Sequence, residues 1–425
     1  MGSIINGYKI LATDIFFDLL MRHESHAQDS IRLVANENLP DVEERLPYLM
    51  DMFARYSFEK DAPWKVQSYC LDEIESNTEA MLKELLNCKY VSLKPISGLN
   101  GMITVISAFN KAGDTVMTLD PLDGGHGETG EILKRLGMNS VYIPFDRNTW
   151  QIDVNKLSKV IDTHKVKMIY LDLCMVLFPQ PIRQIKELVS DKVLIVYDAS
   201  HVLGLIIGGQ FQQPLEEGAD IIIANTHKTL PGPHKAVFAT NKRLLKYLFV
   251  QESRHYISHH HMADVACLGL VLERGASYFK EYACQVIRNA RTLAAELYQR
   301  GVKVQLPNLQ FTSSHQFWID CGEKNDVDEV VELLNQLNLI VNSTLIPSMN
   351  MRWGIRIGVQ EITKQQITPE GIKIIAEIIS HVILNRKIDD TVLNKKKYLI
   401  NHCFNNRPDP ERLKNIIEII RQKPL

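Results

Sequence analysis

The middle of the chain alternates short, continuously apolar runs with longer segments in which apolar residues recur every three or four positions. Residues 193–197 (V-L-I-V-Y) and 221–224 (I-I-I-A) are apolar runs of strand length that are rich in β-branched side chains. Such runs are typical of strands in a parallel sheet covered on both faces. Because the segments between the runs are long enough for crossover helices, residues 76–250 predict a βαβ progression and an α/β fold with a mainly parallel sheet flanked by helices.

The same pattern predicts the individual elements and their grouping. Strands are predicted over residues 91–93, 115–119, 167–173, 193–197, 220–224 and 237–239, and helices over 81–86 and 101–109. A long helical pattern runs from Tyr278 to Gly301, where the glycine is suited to a C-cap. We therefore expect an N-terminal arm over residues 1–50 that packs on a partner subunit, a large domain over 51–290 and a smaller C-terminal α/β domain over 291–425.

Composition changes this picture little. The 425 residues are enough for two or three domains, and with 45% hydrophobic residues, 23% charged residues and a net charge of -2 the chain resembles an ordinary globular protein. No basic excess indicates nucleic acid. The first residues lack a charged segment followed by an apolar core, and no run of eighteen apolar residues occurs, so we expect a cytoplasmic protein that does not enter a membrane.

Cysteines and histidines give no clear metal site. The seven cysteines are odd in number and form no CxxC pair, which favours reduced thiols over disulfides or zinc. Residues 255–261 (H-Y-I-S-H-H-H) could ligate a metal, but no carboxylate or cysteine is spaced around them in a zinc pattern. A polar loop at an active site or interface is the favoured interpretation, and no bound metal is expected.

Polar residues follow directly after the two β-branched runs. Asp198 ends the first run, and Lys228 comes shortly after the second. Open α/β sheets bind their ligands at the carboxyl ends of the strands, so the two side chains are expected to face one pocket. A carboxylate that keeps a pyridine nitrogen protonated and a lysine that holds an aldehyde as a Schiff base are what pyridoxal phosphate (PLP) requires. The alternative, two unrelated surface residues, stays open at this point.

Six matches to known motifs occur in order along the chain. They are, first, residues 31–38 (I-R-L-V-A-N-E-N); second, 94–100 (K-P-I-S-G-L-N); third, 113–116 (G-D-T-V) together with 124–126 (G-G-H); fourth, 198–205 (D-A-S-H-V-L-G-L); fifth, 226–233 (T-H-K-T-L-P-G-P); and sixth, 354–358 (G-I-R-I-G) followed by 361–363. In order and spacing they resemble serine hydroxymethyltransferase, a family of fold-type I PLP enzymes, over nearly the whole length. The first match is similar to the family's I-x-L-I-A-S-E-N, the second and third to its phosphate loop and ring-stacking region, and the last three to its D-M-A-H-V-A-G-L, T-H-K-T-L-x-G-P and G-x-R-x-G-T-x-x-x-T.

The resemblance implies roles for the residues around the cofactor ring. Lys228 would be the Schiff-base lysine and Asp198 the partner of the pyridinium nitrogen. His201 would hydrogen-bond the phenolic oxygen of the cofactor, and His126 would stack on the ring as part of the catalytic set. Two plainer interpretations remain: His126 could close a turn between glycines, and His201 could be a core histidine.

The resemblance also implies a seat for the phosphate. Ser97 and Gly98 begin a helix whose first N–H groups are free, and such an end suits a phosphate dianion. Thr226 would add a hydroxyl nearby. The alternative for Ser97 is an ordinary N-cap.

For the substrate, the resemblance implies Arg356 as the residue that holds the carboxylate of the amino acid through paired hydrogen bonds. Asn36 and Tyr56 would also contact the substrate. Glu59 lies near the position of the proton-transfer carboxylate of the family and is the candidate general acid/base. A surface salt bridge for Arg356 and a solvated surface carboxylate for Glu59 are the alternatives.

The chain departs from the family at four places. Residues 64–67 (W-K-V-Q) replace paired tyrosines and glycines, 256–261 (Y-I-S-H-H-H) replace a glycine-rich loop, Leu99 replaces a second phosphate-loop serine, and 232–236 (G-P-H-K-A) replace G-P-R-G-G. All these changes surround the phosphate, the subunit boundary or the second-substrate side. The resemblance therefore implies a divergent member whose folate site is doubtful.

The expected reaction is formation or cleavage of a bond between Cα and Cβ of an amino acid. The first hypothesis is hydroxymethyl transfer between serine and glycine with tetrahydrofolate, and the second is a folate-independent aldolase or transaldolase. A PLP aminotransferase and a catalytically silent relative remain as alternatives. The resemblance also implies a homodimer or a dimer of dimers that acts on a small amino-acid substrate.

Overall fold

The structure is a computed structural model, and it describes residues 12–57, 69–189, 191–347 and 352–407. The strands are β1 (Ile31–Arg32), β2 (Tyr90–Ser92), β3 (Thr115–Thr118), β4 (Asn139–Tyr142), β5 (Phe145–Asp146), β6 (Gln151–Ile152), β7 (Val166–Leu171), β8 (Leu194–Asp198), β9 (Ile221–Asn225), β10 (Ala236–Thr240), β11 (Gln316–Gly322), β12 (Leu339–Ile340), β13 (Asn342–Leu345) and β14 (Trp353–Gly358). The helices are α1 (Ala12–Asp29), α2 (Leu71–Leu85), α3 (Gly98–Phe109), α4 (Thr129–Arg135), α5 (Val154–His164), α6 (Ile182–Leu188), α7 (Leu203–Ile207), α8 (Pro214–Glu217), α9 (Arg243–Ser253), α10 (Met262–Leu272), α11 (Gly275–Gln299), α12 (Lys324–Gln336), α13 (Gln360–Lys364), α14 (Pro369–Asn385) and α15 (Asp390–His402).

A seven-stranded sheet in the order β2-β10-β9-β8-β7-β3-β4 forms the centre of the fold. Strands β9, β8, β7, β3 and β4 are parallel to their neighbours in this order, whereas β10 is antiparallel to both β9 and β2. The prediction of an α/β fold with a mainly parallel sheet is confirmed.

Strand β8 shows why the central strands read as continuous apolar runs. Ile195 and Tyr197 pack into the main hydrophobic core, while Val196, between them, packs into a second core on the other face of the sheet. All three are fully buried. Because successive side chains of a strand point to opposite faces, a strand with both faces covered has no solvent-facing position for a polar residue.

Helix α11 connects the large sheet to the C-terminal elements. Its buried stripe includes Val286, Ala290, Leu293 and Leu297, and it packs on α7 and α14. Gly301 follows its end with φ +86, a left-handed conformation that favours glycine. The predicted domain boundary at residues 290/291 falls inside this continuous helix and stays a prediction.

The C-terminal elements form a second, smaller sheet in the order β11-β14-β13, which is antiparallel. The N-terminal segment reaches this part of the same chain, since Ile31 pairs with Leu339 in a two-stranded parallel sheet. Packing of the arm on a partner subunit stays a prediction.

Two further findings concern the cysteines and the membrane-spanning potential of the helices. All seven cysteines are free thiols. Of the helices that the structure describes, none has the combined length and apolar character needed to cross a bilayer.

Candidate active site

Asp198 and Lys228 line one pocket at the carboxyl ends of the parallel strands. Asp198 is the last residue of β8, and Lys228 lies three residues after the end of β9, the neighbouring strand. The pocket has a volume of about 370 Å³, and its wall also includes Gly98, His126 and His201. Asp198 and Lys228 thus lie where residues that follow neighbouring parallel strands are expected to lie.

The carboxylate of Asp198 is held by two donors. The hydroxyl of Tyr170, on the adjacent strand β7, donates to Oδ2 at 3.0 Å, and the backbone N–H of Ser200 donates to Oδ1 at 2.9 Å. Tyr170 is fully buried and Asp198 is 9% exposed. The two bonds fix the plane of the carboxylate and leave further lone pairs available for a cationic N–H in the pocket.

The amine of Lys228 lies 3.1 Å from Nε2 of His201. Burial lowers the pKa of Lys228, and the nearby charge of Asp198 opposes this shift. A lysine with a lowered pKa is more often the neutral amine that attacks an aldehyde. The backbone carbonyl of Lys228 accepts a hydrogen bond from Nδ2 of Asn38 at 2.9 Å, so a segment near the N-terminus holds the lysine loop.

His201 belongs to a buried pair of imidazoles. Burial lowers its pKa well below the ordinary value, and its Nδ1 is buried without a hydrogen-bond partner among the described residues. Its ring stacks on His315 at a centroid distance of 5.7 Å. Nε2 of His315 lies 2.9 Å from the carbonyl of Ala35 and is the donor, because a carbonyl can only accept. Burial lowers the pKa of His315 to about 3. The predicted contact of His201 with the phenolic oxygen stays a prediction.

His126 lies in a turn that is tied to the strand-end segment 172–175. The carbonyl of Gly124 accepts hydrogen bonds from the backbone N–H groups of Cys174 and Met175, each at 3.0 Å. The backbone N–H of His126 donates to Oδ2 of Asp172 at 3.3 Å, and the half-buried residue lines the pocket. Its position is compatible with the predicted stacking role, which stays a prediction.

The predicted phosphate seat lies at the start of α3. Ser97 is its N-cap, and its hydroxyl oxygen accepts from the N–H of Asn100 at 3.2 Å. The N–H of Gly98 donates to Oδ1 of Asn225 at 2.8 Å. A Cβ at Gly98 would lie 2.2 Å from Nδ2 of the same asparagine, so only glycine allows this approach. Phosphate binding by Ser97 and Gly98 stays a prediction.

The structure places the hydroxyl of Thr226 away from the pocket wall. Thr226 is fully buried, and its hydroxyl donates to the carbonyl of Pro233 at 2.6 Å. This bond closes the turn that carries Lys228. The observed role of Thr226 is structural, and a cofactor contact by its hydroxyl stays a prediction.

Arg356 projects from β14 and is 7% exposed. Its Nη2 donates to Oδ1 of Asn342 at 2.9 Å and lies 3.4 Å from Oδ1 of Asn36, while Nη1 lies 3.5 Å from the carbonyl of Cys174. Its buried Nε has no partner, and the hydrogen bonds of this guanidinium within the described residues all go to neutral groups. A buried, charged fork with unused donors suits an incoming carboxylate.

Of the residues predicted to act on the substrate, Tyr56 is absent from the pocket wall and Glu59 is outside the described residues. Tyr56 is 48% exposed and stacks on His259 at 4.4 Å, away from the pocket wall. Glu59 and the divergent residues 64–67 lie outside the described residues. Their roles stay predictions.

The histidine-rich segment connects α9 to α10. The fully buried amine of Lys235 donates to the carbonyl of His260 at 2.7 Å, and Nε2 of His260 lies 3.1 Å from a carboxylate oxygen of Glu75. In the part of the chain that the structure describes, no three His, Cys, Asp or Glu side chains gather in a metal-binding arrangement. The segment is therefore held by Lys235 and Glu75, two residues outside it.

Sequence reasoning missed several residues of this site. Asp172 comes directly after β7, but the sequence predicts that this strand continues to residue 173, so the strand-end signal does not fall on Asp172. Tyr170 lies within β7, where a tyrosine is indistinguishable from the other apolar strand residues. Asn38 and His315 come from segments without such a signal, because they reach the site only through tertiary packing.

The residues present fit pyridoxal phosphate. The pocket places a half-buried amine and a hydrogen-bonded carboxylate on one wall, with an imidazole nitrogen at His201 that has no partner among the described residues and a glycine, Gly98, that permits close approach. Lys228 would hold the aldehyde carbon and Asp198 the ring nitrogen, which are the two attachments this cofactor needs.

Comparison with known proteins agrees with the geometry. The family model for serine hydroxymethyltransferase matches residues 12–379. The chain is 33% identical over 394 residues to a serine hydroxymethyltransferase of Archaeoglobus fulgidus, covering 90% of each protein, and 35% identical over 396 residues to one of Staphylothermus marinus, covering 89% of each. The solved structure of L-threonine transaldolase from Pseudomonas fluorescens superposes with a TM-score of 0.87 at 26% identity, covering 96% of this chain and 97% of that one. The predicted resemblance and the fold-type I architecture are confirmed, and the chain belongs to the serine hydroxymethyltransferase family.

Proposed function

We propose that this protein is a PLP-dependent enzyme that forms or cleaves the bond between Cα and Cβ of an amino acid. The observation that carries the proposal is that Lys228 and Asp198 line one pocket, while Arg356 bonds to the carbonyl of Cys174 on the wall of that pocket and has only neutral hydrogen-bond partners among the described residues. The first two residues suit the cofactor, and the third suits the carboxylate of an amino acid.

Each residue has a physical task in this proposal. When bound, the cofactor supplies a protonated ring that accepts the electron pair of a broken Cα bond. Asp198, oriented by Tyr170 and Ser200, keeps the ring nitrogen protonated. Arg356 fixes the substrate carboxylate and thereby selects which Cα bond is broken, because only one orientation satisfies both of its hydrogen bonds. We assign phosphate binding to Ser97 and Gly98, and proton transfer to Glu59.

We propose serine–glycine hydroxymethyl transfer with tetrahydrofolate as the first reaction, since the chain is similar to proteins of Archaeoglobus fulgidus and Staphylothermus marinus that carry the name serine hydroxymethyltransferase. A folate-independent aldolase or transaldolase is the second candidate. A specific observation favours it: the residues that replace the family's G-P-R-G-G include Lys235, a fully buried lysine whose amine is bonded to the histidine-rich segment. The solved structure of L-threonine transaldolase from Pseudomonas fluorescens also superposes over 96% of this chain.

The test is absorbance spectroscopy of the PLP-loaded protein titrated with glycine, with and without tetrahydrofolate. A long-wavelength band that grows only when folate is added supports hydroxymethyl transfer. Growth with glycine or L-threonine alone, followed by exchange of the aldehyde for an added one, supports the second candidate. Stoichiometric pyridoxamine phosphate with a keto acid would indicate an aminotransferase, and a protein that does not take up PLP would be a silent relative.

We also propose that the protein acts as a homodimer or a dimer of dimers in the cytoplasm. Leu49, Phe53 and Tyr69 are 70%, 61% and 87% exposed, which provides apolar surface for a second copy. Light scattering coupled to gel filtration measures the mass, and a monomer at micromolar concentration would refute the dimer.

A further inference from the structure

The pocket contains a second buried carboxylate, Asp172, which has no role in the chemistry proposed so far. It follows β7 and is 2% exposed. Its Oδ1 accepts from the backbone N–H of Leu119 at 3.1 Å. Its Oδ2 accepts from the hydroxyl of Thr118 at 2.8 Å and from the backbone N–H of His126 at 3.3 Å.

The arrangement of donors requires an acceptor at both oxygens. A backbone N–H can only donate, and one such group faces each oxygen of Asp172. An asparagine presents one oxygen and one NH₂ group, so it would leave either Leu119 or His126 facing another donor. Burial raises the pKa of Asp172, while the hydrogen bonds oppose the rise. The positions of the donors around residue 172 therefore suit a carboxylate and do not suit a carboxamide.

The two N–H groups belong to the two ends of one turn. Leu119 follows the end of β3, and His126 lies seven residues later with its ring at the pocket. The same turn is tied to the segment after β7 by a bridge between Gly125 and Leu173. A Cβ at Gly125 would lie 2.3 Å from the carbonyl of Leu119, so the turn is closed as tightly as its backbone allows. Asp172 therefore clamps both ends of the turn that carries His126.

We propose that Asp172 is a positioning residue that holds the ring of His126 in the position from which it stacks on the cofactor ring. The inference rests on the proposed function, because it assigns the covered group to PLP. Asp172 acts through the backbone of His126 and does not touch the reacting atoms. A displaced turn would lower PLP affinity even though every residue assigned to bind PLP is still present.

The experiment compares four variants with the wild type: Asp172→Asn, His126→Ala, the double variant, and Thr118→Val. The apoprotein is titrated with PLP, and the dissociation constant and the absorbance maximum of the complex are measured. Loss of a buried hydrogen bond in Asp172→Asn is expected to raise the dissociation constant about tenfold or more. Thr118→Val removes one bond to the same carboxylate but leaves both N–H contacts. It serves as the matched control, with a change of less than about threefold.

The double variant distinguishes an effect of Asp172 that acts through His126 from a general effect of Asp172 on PLP affinity. If Asp172 acts through His126, then Asp172→Asn adds no further loss once the ring is absent, and the double variant equals His126→Ala. Equal effects of Asp172→Asn in the presence and absence of the ring would overturn the proposal, as would wild-type affinity and spectrum in Asp172→Asn.

Hydrogen–deuterium exchange tests the clamp without the cofactor. Faster exchange of the amides of residues 119–126 is expected in Asp172→Asn and not in Thr118→Val, and unchanged exchange would overturn the clamp. A wild type that binds no PLP would instead refute the proposed function, and the exchange result would still decide whether Asp172 clamps the turn. If Asp172→Asn does not fold, Asp172→Ser, which fits the same space, is measured in its place.

Discussion

Arg356 gives the sharpest test of substrate recognition. Arg356 is 7% exposed, its Nε has no partner among the described residues and its Nη2 already bonds to Asn342. A bound amino acid would supply the carboxylate that is missing from the described surroundings of this charge. We predict that Arg356→Ala weakens glycine binding to the PLP-loaded protein.

The magnitude follows from burial. Removing one partner of a buried, hydrogen-bonded charge pair costs about 2–5 kcal/mol. A central figure of about 3 kcal/mol corresponds to a rise of about 100-fold in the dissociation constant. Arg356→Lys keeps the charge but loses the fork, so we expect a rise of about tenfold. Affinity for PLP itself is expected to change little, because the contacts of Arg356 lie on the substrate side.

The assay is the absorbance change of the bound cofactor during titration with glycine and, separately, with methylamine, which lacks the carboxylate. If Arg356 binds the carboxylate, the Ala variant loses affinity for glycine but not for methylamine. Arg352 provides the matched control because it is tied to Asp320 at 2.8 Å, and Arg352→Ala should leave both affinities unchanged. An equal loss for both ligands in Arg356→Ala would refute the reasoning.

The remaining predictions concern the cofactor, the chemistry and the stability. Lys228→Ala should abolish turnover and prevent covalent retention of PLP after borohydride reduction; wild-type turnover with several amino acids would remove the lysine from its role. Asp198→Asn should lower the rate by several orders of magnitude with PLP still bound, because it removes the group that keeps the ring protonated, and an unchanged rate would contradict this. Burial raises the pKa of Glu361 to about 7 from 4.5, so its stabilising contribution is complete below about pH 4.5 and is lost as pH rises through 7. Glu361→Gln should therefore raise the free energy of unfolding at pH 8, by about 3 kcal/mol at most, and much less at pH 5, measured by urea denaturation. Gly204→Ala should destabilise the lysine loop, since its Cβ would lie 2.5 Å from the carbonyl of Thr229, and faster amide exchange at residues 228–230 would show it.

The sequence predicted the central strands well because burial on both faces leaves a strong apolar signal. The predicted strand 193–197 differs from β8 by one residue at each end. Helix α2 was predicted only over residues 81–86, whereas it spans Leu71–Leu85. Its buried positions are Leu71, Thr78 and Leu82, so most of the helix presents polar residues and its first two turns carry little apolar periodicity.

Some residues of the candidate site could be predicted from the sequence, and others could not. Asp198 and Lys228 could be predicted because strand ends in a parallel sheet meet at one edge. Asn38 could not, since its contact with the carbonyl of Lys228 joins residues 190 positions apart. Tyr170 was read as one more apolar strand residue, because nothing in the sequence shows that its hydroxyl reaches the neighbouring strand.

The buried charges of the site are best explained as halves of pairs that ligands complete. Arg356, Asp172 and Asp198 are buried, and the half-buried amine of Lys228 lies in the same pocket as the two aspartates. A buried charge without a counter-charge costs several kcal/mol, so such groups persist only where something offsets them. Asp172 is offset by hydrogen-bond donors at both of its oxygens, whereas Asp198 has two donors and a pocket in front of it, and Arg356 has neutral partners only. A cationic ring nitrogen at Asp198 and an amino-acid carboxylate at Arg356 would complete both pairs, so the charge pattern that the fold holds in advance is complementary to the cofactor and substrate proposed for it.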